Sequence, residues 1–306
     1  MKLKVSWASS RNRRKENQDN LSIGEQAAFP EGIEERHISG QVLMDIREDN
    51  EVLFAAADGL GGCTNGKYAA ARCLEVLRES FYSFYNTATE TEAEEQTALC
   101  EPLHTCTTGE SPLPVLRPVS QLLPLRAAFL LEYEEEAEPA PSRLMAAAME
   151  ARDALAETYR YVDGGCTLCA VSVCANGEVE WVSAGDSGIW LAHRGKFTLI
   201  NHPLDNRYYF HKALGLPADP REKNILLNYM GATDTELHAG HFRLQHGDTL
   251  VLCTDGVDLN PLSRFLLKLN GSADQLCAIS NADDNATAVV IRCVSSGAYK
   301  KEFFYG

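Results

Sequence analysis

The sequence predicts an α+β fold of antiparallel strands flanked by amphipathic helices, and two observations carry that expectation. Short apolar runs follow one another between residues 168 and 200, joined at Asn176-Gly177 and Arg194-Gly195, a pattern of adjacent antiparallel strands. Apolar residues also recur at helical spacing in two stretches, one through Ala70, Cys73, Leu74, Leu77, Phe81 and Phe84, the other through Leu144, Ala148, Leu155 and Tyr159.

In chain order, residues 3–8 read as a short strand, and Ser9 to Asn20 as a polar, basic loop that composition alone assigns to solvent. Leu21, Ile23 and Val42 to Asp45 suggest further strand material. Strand 52–57 ends abruptly in Asp58, followed by Gly59-Leu60-Gly61-Gly62. The first helix begins at Gly66 and should run about five turns. Residues 87–142 break the pattern with eleven Glu, two Arg and Pro102, Pro112, Pro114, Pro118 and Pro124, which predicts a mobile insert. Its centre is less polar: Val115, Leu116, Val119, Leu122 and Phe129 need burial, and packing on the domain is favoured over docking a partner. Cys100, His104 and Cys106 in that insert do not make a convincing metal site. The second helix stops at Asp163-Gly164-Gly165, and the strands 168–173, 179–182, 189–192 and 197–200 follow. Residues 201–240 are irregular. Phe242 and Leu244 lead into strand 249–254, which ends at Asp255-Gly256; a short helix at about 261–269 and strand 287–293 complete the pattern. The tail 295–306 carries no evident chemistry.

Composition excludes several classes. With 306 residues, 45% hydrophobic and 23% charged, the chain is long enough for one large domain or two small ones. A net charge of −15 argues against a nucleic-acid partner bound through its phosphates. The insert contributes −9 of that charge, so the remainder is only mildly acidic. The N-terminus lacks a secretory pattern, and no apolar stretch is long enough to span a membrane. The ten cysteines show no framework spacing and read as reduced, cytosolic thiols. Cys166 and Cys169 are three apart on a strand and should face opposite sides, which argues against zinc.

The chemistry concentrates at strand ends. Asp58, Asp186 and Asp255 each follow an apolar run, and Asp284 precedes one. Any one of them alone is more readily a turn residue. In antiparallel sheets, however, the end of one strand and the start of its neighbour share an edge, so these carboxylates can converge. Converging carboxylates repel unless protonated or bridged by cations, and a divalent-metal cluster is the economical reading.

Six short motifs extend this pattern: Arg14-x-x-x-Gln18-Asp19, Ala57-Asp58-Gly59-x-Gly61-Gly62, Gly165-Cys166-Thr167, Gly185-Asp186-Ser187, Thr254-Asp255-Gly256 and Asp284-Asn285-x-Thr287. In order and approximate spacing they resemble the metal-dependent serine/threonine protein phosphatases, the type 2C or PPM family, in its bacterial form. The resemblance covers roughly 3–294 and implies a four-layer α-β-β-α sandwich with two central antiparallel sheets, forming one catalytic domain over 1–306 with 87–142 as an insert. It further implies two Mn²⁺ or Mg²⁺ ions, bridged by Asp58 with the Gly59 carbonyl as a ligand, one of them held by Asp255 and Asp284. Asp186 matches an acid that binds a third, looser ion in some members. Arg14 would grip the phosphate with two prongs, and Asp19 would orient a metal-bound water that attacks phosphorus. Phosphorylated proteins are the implied substrates, and a cognate Ser/Thr kinase the implied antagonist, in a cytoplasmic setting without membrane attachment.

Some positions depart from the family pattern. Gln18 stands where many members have Glu, Leu60 where eukaryotic members carry a His, and Gly188 where an Arg is usual; Asp258 lies one residue short of the place of a further metal-binding acid. Two other readings compete: a weakly active member that serves as a binding module through the acidic insert, and a two-metal hydrolase of small phosphoesters.

Overall fold

The computed structural model describes residues 1–25, 27–47, 50–98, 140–201 and 203–295. The described residues of Met1–Phe84 and from Ser142 onward form one compact unit. The strands are β1 (Lys2–Ser10), β2 (Asp19–Ile23), β3 (Ala27–Ala28), β4 (His37–Asp45), β5 (Glu51–Asp58), β6 (Leu168–Cys174), β7 (Glu178–Ala184), β8 (Gly188–His193), β9 (Lys196–Leu199), β10 (His238–Arg243), β11 (Thr249–Cys253) and β12 (Ala286–Ser295). The helices are α1 (Gly66–Ala98), α2 (Arg143–Thr158), α3 (Arg207–Ala213), α4 (Pro261–Lys268) and α5 (Ala273–Ala278).

Two six-stranded sheets form, in the orders β4-β1-β12-β11-β8-β9 and β10-β7-β6-β5-β2-β3. Every strand pair in them is antiparallel. Successive residues on a strand point to opposite faces, and here both faces of the central strands are covered. On β5, Phe54 and Ala56 join a core between the sheets with Leu250, Leu252, Val289 and Ile291. Leu53, Ala55 and Ala57 of the same strand face α1 and α2, where Ala70, Cys73, Leu77, Phe81, Leu144, Ala151 and Leu155 are buried. A third core packs Val251, Cys253, Ala288 and Val290 against Leu267 of α4 and Leu276 of α5. The layers therefore run helix, sheet, sheet, helix. Strands buried on both sides read as continuous apolar runs, which is how β5 and β11 appear in the sequence.

The tight turn between β8 and β9 places Arg194 and Gly195 at φ 49° and 80°, the two left-handed positions a two-residue hairpin loop requires. Cys166 and Cys169 do face different cores. Several elements differ from expectation. α1 extends to Ala98, through residues 87–98 that their acidic composition placed in an insert; Glu and Ala are good helix formers, so charge alone does not end a helix. Residues 99–139, with Cys100, His104, Cys106 and the apolar centre of the insert, lie outside the described residues. The short α5 was not anticipated. It is defined by a reciprocal cap in which Ser272 accepts from the Gln275 backbone and Gln275 from the Ser272 backbone. The irregular stretch 201–240 contains α3 and two 3₁₀ turns.

Candidate active site

The two sheets present their strand ends at one place. Asp58, the last residue of β5, lies directly opposite Asp19, the first of β2, in the antiparallel register. Asp255 follows β11 and Asp284 precedes β12, and these strands are neighbours in the other sheet. Asp186 sits in the link from β7 to β8, where the chain passes between sheets. Arg14, Asp58, Gly59, Asp186, Asp255 and Asp284 all line a single cavity of about 470 Å³. Asp19 lies beneath it, almost fully buried.

Backbone and hydroxyl contacts hold these groups in place. The Asp58 amide donates to Thr167 Oγ1 (3.0 Å), which also bonds Ser187 Oγ (2.6 Å), while the Thr167 amide donates to the Asp58 carbonyl (2.8 Å). The Gly59 amide donates to the Gln18 carbonyl (3.1 Å), tying the β5 end to the loop that carries Arg14. Thr254 Oγ1 donates to Asp19 Oδ2 (2.8 Å) and accepts from the Thr287 amide (3.0 Å), so one hydroxyl joins β11, β12 and β2. A Cβ on Gly256 would meet the Asn285 carbonyl oxygen at 1.8 Å, so only glycine allows Asp255 and Asp284 to sit on these adjoining turns. Asn285 in turn braces the basic loop, donating to the Arg11 and Glu16 carbonyls (both 3.1 Å) and accepting from the Gln18 amide (3.0 Å). That loop is thus pinned to the site, not free in solvent as its composition suggests. Arg14 Nη2 pairs with Asp284 Oδ1 at 2.9 Å.

The electrostatics follow from crowding. Burial, then the charges of Asp19, Asp255, Asp186 and Asp284, pushes Asp58 well above its ordinary 3.8. Burial raises Asp19 to about 7 against its hydrogen bonds, and burial with the Asp255 charge raises Asp186 to about 7. Asp255, the most open of the group, is also raised, by desolvation and by Asp284. A cluster that retains protons for want of positive charge is one a divalent cation would relieve.

The donor set fits such ions. Asp19 Oδ1 is buried with no hydrogen-bond partner, and the surrounding donors are carboxylate and backbone oxygens, the ligands hard cations take. Among the described residues no three His, Cys, Asp or Glu side chains form a ready-made cage. Few protein ligands per ion, with water completing the shell, is the arrangement Mg²⁺ in particular accepts.

The remaining sequence markers separate. Gln18 and Leu60 line the cavity. Asp258 does not; its carboxylate meets the Asn260 side chain and its carbonyl accepts from Ser263 Oγ (2.6 Å), a turn before α4. Gly188 has a physical reason: a Cβ there would meet Trp190 Nε1 at 2.6 Å. Sequence reasoning missed Asn206, whose Nδ2 holds Asp186 Oδ2 at 2.7 Å, and the cavity wall formed by Lys223, Ile225 and Tyr229. Nothing local marks them, because their partners lie far away in sequence or across a turn.

A family model described as protein phosphatase 2C matches residues 41–288, and the chain belongs to that family. The serine/threonine phosphatase PstP/Ppp of Mycobacterium tuberculosis superposes with a TM-score of 0.62 at 18% identity, over 96% of this chain and 100% of that one. The catalytic domain of PstP in complex with 2 manganese ions gives 0.59 at 19% identity, over 96% and 100%. The S. agalactiae serine/threonine phosphatase gives a TM-score of 0.61 at 18% identity, over 95% of this chain and 99% of that one. At such identities the likeness is one of fold. No curated protein matches the chain.

Proposed function

We propose that this chain is a metal-dependent phosphatase acting on phosphoserine and phosphothreonine in proteins. The observation that carries the reading is the convergence of Asp58, Asp186, Asp255 and Asp284 on one cavity, in a chain of the 2C family, with Asp19 buried beneath them. Asp58, the Gly59 carbonyl, Asp255 and Asp284 would hold two Mn²⁺ or Mg²⁺ ions, and Asp186 a third, looser one. When bound, such ions supply charge to the phosphoryl oxygens and a nucleophile at neutral pH.

The chain's own groups do the rest. Arg14 turns its guanidinium into the cavity along Asp284 and offers a planar, two-pronged contact to phosphate oxygens. Asp19, held by Thr254 at one oxygen, has its other oxygen buried without a partner, and there it would orient a water of the metal shell. Leu60 has no proton to give, so the leaving alkoxide is protonated by solvent. Gln18 keeps a carbonyl oxygen but removes a charge, which lowers affinity for the second ion.

We read 1–306 as one catalytic domain with an insert within 87–142. Phosphoproteins are the substrates, and an opposing kinase the expected counterpart. Among the described residues all eight cysteines are free, which suits a reducing compartment and supports a cytoplasmic setting. No described helix is long and apolar enough to cross a membrane. The test is hydrolysis of a phosphothreonine peptide by EDTA-stripped protein, with and without Mn²⁺, beside Asp58→Asn. Turnover that requires Mn²⁺ and disappears in Asp58→Asn is expected. A folded protein without turnover in any metal would overturn the reading and leave a binding role.

A further inference from the structure

The segment between β9 and β10 folds back on itself beside the cavity. The Arg207 amide donates to the Ile225 carbonyl (2.9 Å) and the Leu227 amide to the Asp205 carbonyl (2.7 Å), closing the segment at its base. Asn206 Nδ2 reaches both Asp186 Oδ2 (2.7 Å) and the Lys223 carbonyl (2.6 Å), so the backbone at Lys223 is fixed to an acid of the site. Both arginines of the segment are paired: Arg207 faces Glu222 at 3.4 Å, and Arg221 forks onto Asp219.

Lys212 and Lys223 differ. Both ammonium groups sit over the ring of Tyr208, at 5.4 and 5.2 Å from its centroid, and among the described residues neither pairs with a carboxylate. Both are exposed, and Lys223 lines the cavity. The ring's modest attraction orients each ammonium without neutralising it, so both keep charge to offer an anion.

The surroundings say which anion. The acids of the site balance the ions they would hold, and Arg14 answers the phosphate being cleaved, so the lysines are not needed for either. We infer that Lys212 and Lys223, held on Tyr208, form a second anion subsite at the rim, taking an acidic or second phosphorylated residue that neighbours the one being dephosphorylated. This rests on the phosphopeptide reading above and narrows it to substrates with clustered negative charge. Ile225 at the cavity wall is 40% exposed, giving the same peptide an apolar surface to lie on.

The test compares three phosphothreonine peptides: one with neutral neighbours, one with Asp neighbours, and one with a second phosphoserine. Relative kcat/KM is read for the wild type, for Lys212→Ala/Lys223→Ala and for Lys212→Arg/Lys223→Arg. The expected result is a preference of roughly tenfold for the anionic peptides, near one in the double Ala variant and retained with Arg. Preference for the doubly phosphorylated peptide alone assigns the subsite to phosphate; equal preference for the Asp peptide assigns it to anions in general. A wild type that turns over all three equally, or a double Ala variant that loses all three in proportion, overturns the subsite while the phosphatase reading stands. A wild type inactive on every peptide refutes the phosphatase reading instead. The subsite is then judged by the same ratios in peptide binding, read by fluorescence anisotropy, where equal binding of all three overturns it.

Discussion

Removing metal from this protein should invert the usual pH dependence of its stability near neutrality. In the unfolded chain Asp19 and Asp186 titrate near 3.8; in the metal-free fold each is raised to about 7. Between those values the folded state holds more protons than the unfolded one, so its stability falls as pH rises. A carboxyl group with a folded pKa near 7 passes from roughly 90% to 10% protonated between pH 6 and 8, a loss of roughly 1 kcal/mol. Asp19 is almost fully buried and should contribute all of it. Asp186 opens to the cavity, so solvent screening reduces its share. Together they give about 2 kcal/mol, with Asp58 adding in the same direction. For a chain of 306 residues that corresponds to a fall in Tm of roughly 3–4 °C. The assay is thermal unfolding of EDTA-stripped protein at pH 6, 7 and 8, with and without excess Mn²⁺. Bound Mn²⁺ takes the place of the protons and should flatten or reverse the trend; Asp19→Asn should remove more than half of the Asp19 and Asp186 contribution in the stripped protein. A Tm of the stripped protein that is level or rises from pH 6 to 8 would show that these carboxyl groups do not hold extra protons in the fold.

Three further outcomes follow from particular contacts. Gly256→Ala should force apart the turns carrying Asp255 and Asp284, since its Cβ has no room beside the Asn285 carbonyl; isothermal titration should find Mn²⁺ affinity reduced by tenfold or more, on the order expected for displaced ligands. Thr254→Val keeps shape but takes one hydrogen bond from buried Asp19 and the acceptor from the Thr287 amide, and denaturant melts should show a loss of about 1–3 kcal/mol. Arg14→Lys keeps charge but loses the forked geometry, so KM for a phosphopeptide should rise more than kcat falls; an unchanged KM would remove Arg14 from phosphate binding.

How much of this was legible in the sequence depends on the range of the interaction. The acids at strand ends were readable, because an apolar run that stops at Asp-Gly is a local signal and antiparallel pairing brings such ends together. Hairpins were readable from turn chemistry at Arg194-Gly195. The pairing of β1 with β12, which sets Trp7 opposite Val289, joins the two ends of the chain and has no local marker. The same holds for Thr254, whose hydroxyl matters only because Asp19 lies beside it, and for Asn206, which acts through Asp186. The basic loop around Arg14 reads as solvated in composition, yet Asn285 and Asn12 pin it through side-chain bonds to distant carbonyls, Asn12 Nδ2 reaching the Asp284 carbonyl at 2.7 Å. Side-chain amides spanning that separation in sequence leave no periodic trace.

The carboxylates at the ends of the two sheets should form a metal centre. Anomalous diffraction from crystals grown with Mn²⁺, collected on both sides of the manganese edge, tests it most directly. Two peaks bounded by Asp58, Gly59, Asp255 and Asp284 are predicted, with a weaker third beside Asp186 at higher Mn²⁺. A cavity without ordered manganese at millimolar concentration, or ions seated only elsewhere on the molecule, would contradict it.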